Sequence, residues 1–254
     1  MNFWGMRTSL RIVAITQARM GSTRLPGKVL MDIGGETMLA RVINRTLRAK
    51  SLAMVVVATT TLEQDDVILD HVGRLGIDTF RGDEEDVLSR YYEAAKFFDA
   101  EVIVRITSDC PLIEPEIIDN VVLAFLNVYP AVDYASNTLQ RTYPEGLDVE
   151  VVSFAALKRA WHEATETYQR VHVMPYIYES PDLFHLLSVT GEVDYSGYRW
   201  TVDTLEDLEF VRAVYAALNN NDTFTWHDVL KLLAEKPKLV ELNRHVQQKP
   251  LKEC

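Results

Sequence analysis

Three cations cluster in one short segment near the start of the chain. The segment reads Ala18-Arg-Met-Gly-Ser-Thr-Arg-Leu-Pro-Gly-Lys28 and directly follows the apolar run Ile12-Val-Ala-Ile15. It places Arg19, Arg24 and Lys28 among glycine, serine and threonine residues. Backbone N–H groups and fixed positive charges converge at such a turn between a strand and a helix, which favours binding of phosphate. A surface turn that is merely basic is the alternative.

The charge distribution makes this segment stand out from the rest of the chain. The formal net charge is −11, yet residues 1–31 contain five Lys or Arg residues and no Asp or Glu. The segment is not a Walker A loop, because five residues separate Gly21 from Gly27 and Val29 replaces the metal-binding Ser or Thr. It also lacks the G-x-G-x-x-G pattern of dinucleotide-binding folds. We therefore expect a local pocket for a small polyanion.

Composition limits the class of protein. At 254 residues the chain is long enough for one α/β domain, and its two cysteines, Cys110 and Cys254, fit neither a disulfide scaffold nor a zinc site. We expect Cys110 to be a small buried residue rather than a nucleophile. The acidic net charge argues against a nucleic-acid partner. No signal peptide or membrane-spanning run is recognised, so a soluble, cytoplasmic protein with no membrane partner is expected.

Apolar, β-branched runs alternate with helical patterns along the chain. Such alternation predicts an α/β fold in which helices flank a mostly parallel, Rossmann-like sheet. We place the main domain at residues 1–235, a smaller lobe around residues 138–198, and a polar C-terminal tail at residues 236–254. The predicted strands lie at Ile12–Ile15, Met54–Ala58, Ile77–Phe80, Val102–Ile106, Val132–Ala135 and Leu147–Val152, and the predicted helices lie within 38–47, 67–75, 87–98, 205–218 and 226–233.

Two aspartates follow predicted strands. Asp109 comes after Val102–Ile106, and Asp203 comes after Thr201–Val202 and before a predicted helix. Because α/β sheets present ligands at the carboxyl ends of their strands, we expect both carboxylates beside the basic segment. One or two carboxylates, together with substrate phosphates, suffice to hold Mg²⁺. The alternative for Asp203 is a helix cap.

A second set of polar residues lies between these aspartates. Asp148 and Glu150 are two positions apart, so in a strand they share one face and can bind metal, an amine or sugar hydroxyls. A solvated strand face is the alternative. Arg170 and His172 offer contacts to an anion or a hydroxyl, although a lone histidine is more often structural.

Four motifs together resemble a known family. They are Gln17-Ala-Arg-Met-Gly-Ser-Thr-Arg-Leu-Pro-Gly-Lys28, Arg105-Ile-Thr-Ser-Asp-Cys-Pro-Leu112, Tyr143-Pro-Glu-Gly-Leu-Asp-Val-Glu150 and Thr201-Val-Asp-Thr-Leu-Glu-Asp-Leu208. In this order they resemble the cytidylyltransferases that activate acidic sugars of the sialate and ulosonate type, and most closely the spore-coat polysaccharide branch. The resemblance covers about residues 11–235. It implies a nucleotide-sugar-transferase-like fold, CTP as co-substrate, Mg²⁺ and a homodimer.

The resemblance also implies roles for individual residues. The catalytic group comprises Arg19, Lys28 and Asp109, and the metal ligands are Asp109 and Asp203. The nucleotide contacts are Ala18, Arg19, Gly21, Ser22, Arg24, Lys28, Arg81, Asp83 and Thr107, and the sugar contacts are Arg105, Asp148, Glu150, Arg170 and His172. One departure concerns Val171, because this branch usually carries glutamate between the arginine and the histidine.

The implied reaction is attack by a sugar hydroxyl on the α-phosphorus of CTP, in line with departing pyrophosphate. Such transfer requires mainly positioning and charge neutralisation, so the lack of a Ser-His-Asp set is expected. Two alternatives belong to other classes. A metal-dependent glycosyltransferase would use Asp148 and Glu150 to hold a nucleotide-sugar diphosphate, and a non-catalytic module would bind nucleotide without turnover.

Overall fold

The computed structural model describes residues 10–250. Residues 1–9, which include part of the segment considered for a signal peptide, and Cys254 lie outside the described residues. The strands are β1 (Ile12–Gln17), β2 (Asp32–Ile33), β3 (Glu36–Thr37), β4 (Met54–Thr60), β5 (Asp78–Gly82), β6 (Val102–Thr107), β7 (Tyr134–Ser136), β8 (Glu150–Ser153) and β9 (Leu186–Ser188).

The described part of the chain forms a seven-stranded sheet in the order β5-β4-β1-β6-β8-β7-β9, beside a small hairpin of β2 and β3. Strands β5, β4, β1 and β6 run parallel, while β8 is antiparallel to both of its neighbours. The sheet therefore confirms the mostly parallel α/β fold. The chain passes from β1 to β4 and β5 and then returns to β6 on the other side of β1, which opens a crevice at the carboxyl ends of β1 and β6.

Helices cover the faces of this sheet. Side chains alternate along β1, so that Val13 and Ile15 pack into one buried apolar cluster and Ile12 and Ala14 into another. The α-helices are α1 (Met38–Thr46), α2 (Asp66–Arg74), α3 (Val87–Phe97), α4 (Pro115–Val128), α5 (Phe154–Glu163), α6 (Thr167–His172), α7 (Pro175–Tyr178), α8 (Leu205–Ala217) and α9 (Trp226–Glu235). None within the described range is long and apolar enough to cross a membrane.

Side-chain caps fix where the helices that border the crevice begin. The Asp86 carboxylate accepts a hydrogen bond from the Ser89 N–H at 2.9 Å and starts α3. Thr204 caps α8 by accepting from the Asp207 N–H, and the Asp207 side chain accepts in return from the Thr204 N–H. Such reciprocal caps satisfy the free N–H groups of a first turn.

The region at 138–198, predicted as a smaller lobe, contributes strands to the main sheet. Its strands β8 and β9 belong to the main sheet, where β8 pairs with β6 and β9 pairs with β7. The irregular pattern of the sequence comes instead from the long loop before β8 and from the short helices α6 and α7. Some of its residues, among them Thr138 and Tyr178, line the cavity at the carboxyl ends of β1 and β6.

The residues after α9 pack against the domain. A 3₁₀ helix at Pro237–Leu242 follows, and its Leu239 and Val240 contact the buried core. Asn243 is buried and donates hydrogen bonds to the Arg199 carbonyl and to Asp207 Oδ1, both at 2.9 Å. Within its described portion, the predicted polar tail is therefore ordered structure attached to the start of α8.

Candidate active site

A cavity of about 680 Å³ lies at the carboxyl ends of β1 and β6. Most of the residues predicted for the site contribute to its walls. Those that line it are Ala18, Arg19, Ser22, Arg24, Lys28, Arg105, Thr107, Asp109, Asp148, Glu150, His172 and Asp203. Four predicted residues, Gly21, Arg81, Asp83 and Arg170, lie outside this lining.

The loop after β1 brings Lys28 into the cavity. The Met20 carbonyl accepts hydrogen bonds from the N–H groups of Ser22 and Gly27, both at 2.9 Å, and so closes the loop on itself. Gly27 has a φ of 69° and immediately precedes a 3₁₀ helix at Lys28–Leu30. A side chain would be strained at this left-handed position, so glycine is needed for the turn that buries Lys28.

The Lys28 ammonium joins the two predicted metal-binding aspartates. Its Nζ donates to Asp109 Oδ2 at 3.0 Å, to Asp203 Oδ1 at 2.9 Å and to the Val202 carbonyl oxygen at 2.8 Å. These bonds use all three donors of the ammonium. Although burial opposes it, attraction to the two carboxylates raises the pKa of Lys28. The same ion pair lowers the pKa of Asp109 to about 2, against the effect of burial.

Asp203 is held by further cations. Its Oδ2 lies 2.9 Å from Arg24 Nη2 and 2.9 Å from Arg199 Nη2. Arg199 also pairs with Asp207 and Glu145, both at 3.0 Å. We call Lys28, Arg24, Arg199, Asp109 and Asp203 the shared-charge end of the cavity, because Lys28, Arg199 and Asp203 each contact more than one charged partner.

The position of Asp203 differs in one respect from the expectation. Residues 200–203 do not form a strand; Val202 instead donates its N–H to the Asp109 carbonyl at 2.8 Å. The Thr201 hydroxyl donates to the same carbonyl at 3.2 Å, and these two bonds tie the two aspartate segments together. The predicted helix does follow, since α8 begins at Leu205.

The opposite part of the cavity contains separate ion pairs. Arg105 Nη1 bonds to Glu150 Oε2, and the Tyr134 hydroxyl donates to Glu150 Oε1 at 2.7 Å. Arg141 forms a two-pronged pair with Asp148, at 2.5 and 2.9 Å. We call Arg105, Glu150, Arg141 and Asp148 the paired-charge end. Asp148 precedes β8 rather than lying within it, yet it faces the same cavity as Glu150.

The four predicted residues outside the lining have partners in the surrounding structure. Arg170 donates to Asp86 Oδ2 at 2.6 and 2.9 Å and to the Trp161 and Ala164 carbonyls, so it fastens α6 to the start of α3. This bonding lowers the pKa of Asp86, although burial opposes the shift. The structure therefore gives Arg170 a role in packing rather than a place in the cavity wall.

The other three lie around β5 and the basic loop. Arg81 donates to the carbonyls of Thr60 and Leu62. Asp83 accepts from two N–H groups in the turn before α3. Gly21 approaches the side chains of Glu84 and Gln64. These contacts place the three residues in the segments beside the cavity rather than in its wall.

Several residues of the cavity wall were not predicted. They include Gln17, Arg90, Thr138, Arg141, Glu145, Tyr178, Gln248 and Lys249. Arg141 was detectable in principle, because it precedes the quoted motif by two residues and carries the charge opposite to Asp148. Gln248 and Lys249 could not be predicted, because only the backbone path of the C-terminal segment brings them to the cavity.

Cys110 is buried at 3% exposure, as expected for a small core residue. Burial raises the pKa of its thiol well above the usual value, and the neighbouring Asp109 carboxylate adds to this effect. A thiol in this state is a poor nucleophile. The geometry therefore confirms that Cys110 is a buried residue.

The family model for cytidylyltransferases matches residues 13–237. This chain belongs to the cytidylyltransferase family. A solved cytidylyltransferase from Leptospira borgpetersenii superposes with a TM-score of 0.86 at 31% identity, covering 95% of this chain and 99% of that one. The residues matched by the family model, 13–237, include most of the cavity lining.

Two other relatives indicate the range of the cytidylyltransferase family. The spore coat polysaccharide biosynthesis protein SpsF of Bacillus subtilis is 32% identical over 233 residues, covering 89% of this chain and 95% of its own. A 3-deoxy-manno-octulosonate cytidylyltransferase of Trichlorobacter lovleyi is 40% identical over 117 residues, covering 46% of each chain. The acidic-sugar cytidylyltransferases and the spore-coat branch are thus both represented among the relatives.

Proposed function

We propose that this protein transfers CMP from CTP to a hydroxyl group of a sugar acid and releases pyrophosphate, as a step in surface polysaccharide synthesis. The observation that carries the proposal is the contact of Lys28 with both Asp109 and Asp203 at the carboxyl ends of the parallel strands. The names of the two curated relatives support the sugar-acid class. The hydroxyl oxygen bonds to the α-phosphorus as the bond to the bridging oxygen of pyrophosphate breaks, and the hydroxyl proton is released.

The residues of the shared-charge end divide the work of this reaction. The loop cations Arg19 and Lys28 neutralise the triphosphate and the departing pyrophosphate. Arg19 is suited to this, because its side chain is 41% exposed and its nearest carboxylate, Glu84, is 3.8 Å away. Cations placed where charge develops lower the barrier without moving during the reaction.

The aspartates fit the requirements of Mg²⁺. Both carboxylates accept a hydrogen bond from the same Lys28 nitrogen, at 3.0 and 2.9 Å. The two accepting oxygens therefore lie no more than about 6 Å apart, the sum of these two distances. Residues 10–250 contain no cluster of three or more His, Cys, Asp or Glu that could enclose a metal. Mg²⁺ needs only one or two protein carboxylates when phosphates and waters complete its shell. We propose that Asp109 and Asp203 hold the ion, which would supply charge stabilisation to the phosphates.

Other parts of the proposal rest on the family. We propose CTP rather than UTP as the nucleotide, with Ala18, Ser22, Arg24 and Thr107 beside it. Arg105, Asp148, Glu150 and His172 form the side of the cavity that receives the sugar. A cytoplasmic homodimer is part of the same proposal, and light scattering of the purified protein tests its oligomeric state.

The deciding experiment measures pyrophosphate released from CTP and Mg²⁺ with a panel of sugar acids, neutral sugars and sugar phosphates. The proposal expects release with at least one sugar acid and formation of the CMP-sugar in equal amount. UTP should be a poor substitute, because a site built for cytosine leaves buried polar groups unpaired against uracil. Tight CTP binding without turnover would favour a binding module, and turnover of a nucleotide-sugar without pyrophosphate would favour a glycosyltransferase.

A further inference from the structure

Arg90 is a buried arginine of the cavity wall whose guanidinium is incompletely bonded. The residue lies on α3 and is 2% exposed, yet it lines the cavity. Its Nε and Nη1 atoms are buried and find no hydrogen-bond acceptor among residues 10–250. The buried Arg45 differs, because its Nε, Nη1 and Nη2 donate to the Ile113 carbonyl, the Asp222 carbonyl and Glu114.

The carboxylates near Arg90 are occupied by other groups. Asp65 accepts from the Met20 N–H at 2.7 Å and from the Thr60 hydroxyl. Asp83 Oδ1 accepts from the N–H groups of Glu85 and Asp86, both at 2.8 Å. Burial lowers the pKa of Arg90, and the positive charge of Arg19 adds to this effect. No carboxylate forms an ion pair with this guanidinium within the described chain.

An incompletely paired charge at this depth lowers the stability of the folded state, because burial removes water without supplying equivalent partners. The backbone nevertheless makes room for it. A Cβ atom on Gly82 would lie 3.1 Å from Arg90 Cγ and 3.2 Å from Arg90 Cβ, so a larger residue at this position of β5 would displace the arginine by a few tenths of an ångström. The combination suggests that a group absent from the polypeptide completes the bonding of the guanidinium.

The position in the fold indicates which substrate supplies that group. Arg90 packs against β5, and Gln17 and Arg19 at the end of β1 share its cavity wall. Both strands lie on the side of the sheet that carries the basic loop, whereas β8, which carries Glu150, lies beyond β6. The guanidinium therefore faces the part of the cavity that we assign to the nucleotide.

We propose that Arg90 binds the nucleotide by donating hydrogen bonds to one of its acceptor oxygens, on the pyrimidine ring or on a phosphate. This inference rests on the proposed function, since it assumes that CTP occupies the cavity. Hydrogen bonds from a charged donor to a buried acceptor change affinity by about 10- to 100-fold. Arg90 then contributes to nucleotide affinity, whereas its incompletely bonded guanidinium does not stabilise the free protein.

The test compares Arg90→Met with Arg45→Met, which removes an equally buried but fully bonded guanidinium. Thermal unfolding of the free proteins and calorimetric titration with CTP, CMP and cytidine are measured for both variants and for Arg90→Lys. We expect Arg90→Met to unfold at or above the wild-type temperature and to bind CTP about 10- to 100-fold more weakly. Arg45→Met should unfold at a lower temperature and bind CTP within about twofold of wild type, since removing one partner of a buried network leaves the others unpaired.

The ligand series identifies the oxygen. A loss that persists with cytidine assigns the contact to the pyrimidine ring, and a loss confined to CTP and CMP assigns it to a phosphate. Arg90→Lys keeps the positive charge but loses the planar guanidinium, so its affinity for CTP should lie between those of the wild type and Arg90→Met. The inference is overturned if Arg90→Met loses as much thermal stability as Arg45→Met, or if it binds CTP as tightly as wild type. Failure of the wild-type protein itself to bind CTP would instead overturn the proposed function, and this inference with it.

Discussion

The two ends of the cavity use the same residue types in different arrangements. At the shared-charge end, Asp203 contacts Lys28, Arg24 and Arg199, and Lys28 contacts two carboxylates. At the paired-charge end, Arg105 is matched with Glu150 and Arg141 with Asp148. A group with several partners can exchange one of them for a phosphate or a metal and remain bonded to the others. Arg105 and Arg141 each pair with a single carboxylate, so the loss of that carboxylate leaves the arginine without a counter-charge.

This comparison predicts that breaking an ion pair of the paired-charge end causes a large loss of stability. Glu150→Gln keeps the size of the side chain but leaves the buried Arg105 without a counter-charge. Breaking a buried pair in this way costs about 3–5 kcal/mol. Urea unfolding should show a loss of that size. Glu163→Gln, which disrupts the exposed pair with Arg159, should change stability by less than about 1 kcal/mol. Equal losses in the two variants would contradict the distinction.

The shared-charge end should control the rate instead. Lys28→Ala removes the ammonium that we propose neutralises the triphosphate, which should lower turnover by an amount equivalent to about 2–4 kcal/mol, or 10- to 1,000-fold. Pyrophosphate release measures the effect. Lys96→Ala, which removes an exposed lysine of α3, is the control and should leave turnover unchanged. Wild-type turnover by Lys28→Ala would rule out its role in triphosphate neutralisation.

The acid stability of the protein provides a third test. The pKa of Asp109 falls from 3.8 to about 2 in the folded state, so its carboxylate binds protons less readily than in the unfolded chain. Its contribution to stability is therefore present above about pH 4 and is lost as the pH falls towards 2. Two pKa units correspond to about 2–3 kcal/mol. Unfolding of Asp109→Asn should depend less steeply on pH in this interval than unfolding of the wild type; identical slopes would contradict the assignment.

A smaller effect is expected where the C-terminal segment meets the shared-charge end. Asn243→Ala removes two buried hydrogen bonds, to the Arg199 carbonyl and to Asp207. The expected loss is about 1 kcal/mol of stability per bond, accompanied by a modest rise in the KM for CTP because Arg199 orients Asp203. Arg244→Ala, which removes an exposed pair with Glu241 in the same segment, should change neither quantity appreciably. A similar response of both variants would show that the segment acts only as general packing.

The sequence predicts the shared-charge end better than the paired-charge end, for a physical reason. Lys28 lies in a local loop, and both aspartates follow apolar segments, so strand and turn rules bring them to one edge of the sheet. The Arg105–Glu150 pair depends on the antiparallel register of β8 against β6, which hydrophobic patterns do not specify. Arg170 is a residue type that often binds anionic substrates, and only the packing of α6 against α3 shows that Asp86 is its partner.

The most direct test of the central claim is the experimental structure of the complex with CTP and Mg²⁺. The account predicts a phosphate oxygen of CTP within about 2.7–3.2 Å of Lys28 Nζ, and the metal bound to Asp109 and Asp203. It also predicts that the Arg105–Glu150 and Arg141–Asp148 pairs remain intact. A triphosphate bound to Arg105 and Arg141, with Lys28 still joined to both aspartates, would contradict it.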